Sequence, residues 1–93
     1  MKNKISEKIP VPRDDILSRT EKGKAVIFDD KEGEPYLLNE TGTLIWQLCH
    51  GKLSVREITE ETVKQFEGDS AVIEKEVIAF IENLAEKKIV SLT

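Results

Sequence analysis

The stretch "PYLLNETGTLIWQLCHG", residues 35–51, constrains this chain more than any other. An extended run, Tyr36-Leu37-Leu38, gives way at Asn39 to a helical pattern with no linker between them. Asn39 is a favourable helix N-cap, because its side chain accepts from the free N–H groups ahead of it. Thr41, Leu44, Ile45 and Leu48 then share one helix face, and His50-Gly51 closes the helix. Gly42 stands inside the first turn, where a glycine normally weakens a helix, and it allows a close approach of that turn to a neighbour. A strand and a helix joined this tightly must belong to one packed unit.

The segments on either side extend the pattern. Upstream, "DILSR" (15–19) and "AVIFD" (25–29) read as strands, with turns at "TEKGK" (20–24) and "DKEGE" (30–34) and a third strand at "PYLL" (35–38). The second strand is then central and the other two are edges, and Pro35 suits an edge because it has no N–H to donate. Downstream, Ser54 and Glu57 form a capping box for a second helix, with Val55, Ile58, Thr62 and Phe66 on one face, and Gly68 closes it. Asp69 or Ser70 caps a third helix running to about Lys87, and "IVSL" (89–92) ends the chain as a short strand. Residues 1–13 contain Pro10 and Pro12 and show no period, which predicts an extended or flexible lead-in. Residues 14–93 then form a single α+β domain. It is winged-helix-like, with a small antiparallel three-stranded sheet packed on a three-helix cluster and a short C-terminal strand.

Size and charge narrow the functional classes. Ninety-three residues leave no room for a large cleft between domains. Residues 1–24 carry seven Lys/Arg against four Asp/Glu, whereas residues 25–93 carry seven against fourteen. An acidic body repels nucleic-acid phosphates and anionic membranes and favours a basic partner. A winged-helix-like fold raises a DNA-binding regulator as the alternative function, with a small interaction domain of an unrelated complex as a third. A recognition helix should be basic, yet residues 54–67 hold two basic residues against four acids, and residues 69–88 hold three against five. No apolar run approaches the ~20 residues that span a bilayer, and no signal peptide is recognisable, so the expected localisation is cytoplasmic.

Catalytic and metal-binding constellations are thin. The single cysteine, Cys49, precludes an internal disulfide, and the single histidine, His50, is its neighbour. Adjacent helical residues point ~100° apart, which does not suit a thiolate–imidazole pair, and two such ligands cannot close a tetrahedral zinc site. Trp46 lies off the apolar stripe of its helix and reads as a second-layer core aromatic. The third helix carries two apolar sets. Ile73, Val77, Phe80, Ile81 and Leu84 form a broad core face. Ala71, Ile78 and Ala85 lie on a flank beside Ile81, edged by Glu74 and Glu82. That flank either widens the core face or floors a shallow groove beside an open strand edge.

The segments "YLLNETGTLIW" and "HGKLSVREIT" resemble the PqqD family, named for a small protein of pyrroloquinoline quinone biosynthesis. The matching pieces are Leu38-Asn39, Gly42, Ile45-Trp46, Gly51, Val55 and Ile58, then Val77, Phe80 and Leu84. "PVPRDDIL" fits the family's opening, and the resemblance covers about residues 10–92. Glu76 departs from it, standing where the family has Asp. The resemblance implies a non-catalytic peptide-binding module, the RiPP recognition element, with no cofactor of its own. Such a module holds the leader of a ribosomally made precursor peptide as an added strand and presents it to a modifying enzyme, often a radical SAM enzyme. Carried onto this sequence, the implied strand edge is Tyr36, Leu37 and Leu38, and the helix wall is Ala71, Glu74, Ile78, Ile81, Glu82 and Ala85. An open edge can also pair with a second copy, so a homodimer is compatible with the reading.

Overall fold

The structure is a computed structural model describing residues 4–29 and 35–93. A 3-10 turn (Lys4–Glu7) leads into β1 (Pro10–Pro12), β2 (Leu17–Glu21), β3 (Lys24–Phe28) and β4 (Tyr36–Leu37). Three helices follow, α1 (Glu40–Leu48), α2 (Val55–Gln65) and α3 (Ser70–Glu86), and β5 (Val90–Leu92) ends the chain. The α+β class, the three helices and the antiparallel sheet in the order β2-β3-β4 agree with the sequence reading. The turn expected at 30–34 lies outside the described residues.

Local chemistry explains the helix boundaries. Asn39 caps α1 by accepting the Gly42 N–H at 2.7 Å. Ser54 and Glu57 complete the capping box of α2, and Asp69 caps α3 by accepting from Ala71. The backbone bond from the Ser54 N–H holds the Glu57 carboxyl below its ordinary range. The first hairpin is tighter than its sequence suggests. Lys22 and Gly23 both take positive φ, 53° and 79°, which makes a two-residue turn and carries both strands into the span expected to be loop.

Residues 4–13 pack against the rest of the chain, where an extended or flexible lead-in was expected. Among the described part, Ile5 is buried with Ile45, Cys49, Val55 and Ile58, and the Lys8 carbonyl accepts the Val55 N–H at 2.8 Å. β1 pairs antiparallel with β5, with Ile9 and Thr93 exchanging bonds of 3.0 and 3.1 Å. In this register the amide positions of Pro10 and Pro12 point away from β5. The missing N–H groups therefore cost the ladder nothing, and they blunt the free edge of β1.

Two apolar clusters form the core. One lies among the helices and the N-terminal turn; the other joins Ile27 of β3 to Leu84, Ile89 and Val90. Trp46 and Phe80 pack against both clusters. The outer face of the three-stranded sheet is left uncovered: Leu17, Phe28 and Leu37 are all exposed there.

Candidate functional site

β4 is the edge strand of its sheet, and its ladder geometry decides what it offers. It pairs only with β3, Val26 opposite Leu37 and Ile27 opposite Tyr36. The Leu38 N–H reaches the Ala25 carbonyl at 2.9 Å, so Leu38, and Tyr36 two residues before it, direct their backbone groups to β3. The N–H and C=O of Leu37 therefore face the open side. Side chains alternate with the same period. Tyr36 and Leu38 turn inward onto the second core cluster, while Leu37 is 78% exposed on the outer face.

The junction that follows is held by a bond the sequence does not advertise. Instead of completing the ladder, the Ala25 N–H donates to the buried Thr43 hydroxyl at 2.8 Å, which ties α1 directly to β3. Gly42 meets its expected need for close approach. A Cβ there would stand 3.4 Å from Phe80 Cε1, 3.5 Å from Leu38 Cβ and 3.2 Å from the capping Asn39 oxygen. Leu38, Phe80 and the first turn of α1 thus converge at one point.

Phe80 and Lys87 of α3 stand beside β4, and neither was among the helix-wall residues expected. Phe80 meets the Leu38 end, and Lys87 holds Nζ 5.1 Å from the centre of the Tyr36 ring. At ~100° per residue, Phe80 and Lys87 share a flank of α3 with the exposed Glu76 and Asn83. Ala71, Ile78 and Ala85 lie on the opposite flank. There Ala71 and Glu74 share a shallow cavity with Thr59 and Val63 of α2. Ile78 packs on the helical cluster, and Glu82 and Ala85 border a cavity with Ile5, Lys8 and Leu92. Ile81 is fully buried and offers no surface to a ligand. Periodicity marked the α3 core face and one of its margins but carried no information on which margin adjoins β4.

Other candidates are structural. The Cys49 thiol is pushed up to about 12 by burial, so it stays protonated at neutral pH. Arg13 binds the buried Asp29 carboxylate at 2.7 Å and the Lys88 carbonyl at 2.9 Å, joining the start of the sheet to the end of α3. Among the described residues no group of three or more His, Cys, Asp or Glu is placed to hold a metal, and no helix is long and apolar enough to cross a membrane.

An edge strand with one outward donor and acceptor, set beside a helix flank with an aromatic floor, defines a small α+β domain able to extend its sheet by one strand. The chain belongs to the PqqD family: residues 24–90 match the family model described as Coenzyme PQQ synthesis protein D (PqqD). Two solved structures share the fold. One is described as "TbiB1 in Complex with the TbiA(beta) Leader Peptide", with a TM-score of 0.77 and 21% identity, covering 87% of this chain and 94% of that one. The other is "Lasso peptide synthetase B1 complexed with the leader peptide", with a TM-score of 0.72 and 23% identity, covering 90% and 96%. No curated protein matches the chain.

Proposed function

We propose that this protein is a non-catalytic module that binds the leader segment of a ribosomally made precursor peptide as an extra strand at β4 and presents it to a modifying enzyme, a radical SAM maturase in the first instance. The observation that carries this reading is the open backbone edge at Leu37, whose neighbours Leu38 and Tyr36 lie by Phe80 and Lys87 of α3. The family, and the two similar structures described as leader-peptide complexes, support it. Main-chain bonds to Leu37 supply part of the affinity, and side-chain contacts at Leu38, Tyr36, Phe80 and Lys87 set which leader is accepted. The module needs no cofactor and works in the cytoplasm, where precursor peptides are made. An extended peptide pays for its own ordering, which limits the affinity that these contacts yield.

The test is an amide NMR titration with leader peptides from short reading frames beside the gene. Shifts should gather at residues 35–38 and on the Glu76–Phe80–Asn83–Lys87 flank, and not at Ala71, Ile78 or Ala85. Leu37→Pro removes the outward N–H at a position where an edge strand tolerates proline, so it should weaken binding about tenfold or more while the fold persists. Unchanged affinity in a folded Leu37→Pro protein would refute strand addition at β4.

A further inference from the structure

A positioned positive charge stands at the Tyr36 end of the open β4 edge. Lys87 is the C-cap of α3, and its Nζ stands over the Tyr36 ring at 5.1 Å. A ring face attracts a cation through its quadrupole, which favours placing the ammonium beside Tyr36. Lys87 is exposed, and among the described residues it forms no ion pair. Residues 25–93 as a whole are strongly acidic, with seven Lys/Arg, Lys87 among them, against fourteen Asp/Glu. A helix C-terminus by itself repels carboxylates. Here the Ala85 and Leu84 carbonyls in the last turn of α3 are taken up by the Lys88 and Ile89 N–H groups, and Lys87 and Lys88 both stand at that end.

Register decides which peptide residue meets this charge. In an added strand, the residue opposite Leu37 points to the outer face, and its two neighbours point inward with Tyr36 and Leu38. The inward residue opposite Leu38 lies over Phe80, an apolar floor. The inward residue opposite Tyr36 lies beside Lys87. Glu76, one turn before Phe80 on the same flank, repels a carboxylate at the other end of the groove and so makes the placement one-sided.

We propose that the peptides this groove selects carry an Asp or Glu two residues from an apolar anchor, the carboxylate pairing with Lys87 and the anchor covering Phe80 and Leu38. An antiparallel strand reads apolar–x–acid, and a parallel one acid–x–apolar. The inference rests on the strand-addition reading.

The experiment is an mRNA-display selection of random 15-residue peptides on the full chain, run in parallel on wild type, Lys87→Glu and Lys87→Arg. Wild type and Lys87→Arg should both enrich an acid at the two-residue spacing, and Lys87→Glu should replace it with Lys or Arg. A peptide from the wild-type pool should lose about fivefold in affinity for Lys87→Glu and regain it when its acid is changed to lysine, as expected for a partly exposed ion pair. Pools with the same charge preference on wild type and Lys87→Glu would overturn this inference and leave the strand-addition reading standing. Enrichment of no peptide on any of the three proteins would overturn both.

Discussion

Single residues carry strain and affinity that the backbone conformation exposes. Lys88 follows the C-cap of α3 at φ 61°, a conformation that an L side chain rarely adopts. The chain accepts it because the resulting turn closes two bonds: Lys88 N–H to Ala85 at 3.0 Å and Ile89 N–H to Leu84 at 2.9 Å. Ile89 and Leu84 are also buried together in the second cluster, so the turn gains packing as well. Glycine relieves the strain without removing either bond. Lys88→Gly should therefore raise stability by about 1 kcal/mol, seen as a higher midpoint in chemical denaturation. The sequence gives no warning of this, since a Lys-Lys pair after a helix reads only as a favourable charge at its C-terminus.

At the level of elements, the caps of all three helices were legible, because a cap is a contact between residues two or three apart. Asn39 and Ser54 both serve as expected, with Asp69 in the role shared between it and Ser70. The join between sheet and helices was not legible. Thr43 reads as an ordinary polar residue in a first helical turn, yet its buried hydroxyl receives the N–H of Ala25, eighteen positions away. Thr43→Val keeps the shape and strands that buried donor. It should cost about 1–3 kcal/mol, measurable by urea unfolding, with local shift changes at Ala25 and Leu38. The strand limits moved for a related reason. Lys22-Gly23 forms a two-residue turn, so β2 ends at Glu21 and β3 begins at Lys24, inside the predicted loop.

Across the whole molecule, the N-terminal segment closes the core. Ile5 sits with Ile45, Cys49 and Val55, while β1 and β5 tie the two ends of the domain into one ribbon. Ile5→Ala should destabilise the protein by about 2–4 kcal/mol, as for other buried isoleucines. Loss of a similar size to that from a mid-helix core position, by thermal or chemical unfolding, would place the segment in the cooperative unit. Little or no change would show it to be an appendage. The candidate site follows the same long-range logic. Its strand edge, Tyr36, Leu37 and Leu38, was readable from one continuous segment. Its helix wall was expected on the Ala71–Ile78–Ala85 flank; the structure sets Phe80 and Lys87 beside Leu38 and Tyr36, and packs Ala85 on the same core cluster.

What the sequence determined by itself was the order of elements from the first hairpin onward, the helix N-caps and the core faces of α2 and α3, because periodicity and capping are local and repeat with the backbone. Tertiary structure alone decided which margin of α3 adjoins the open edge, which strand β5 pairs with, and where Lys87 stands. Each of those depends on how helices rotate about their axes when two clusters pack at once. Such a rotation leaves the period of the sequence unchanged and moves every surface residue to a different neighbour.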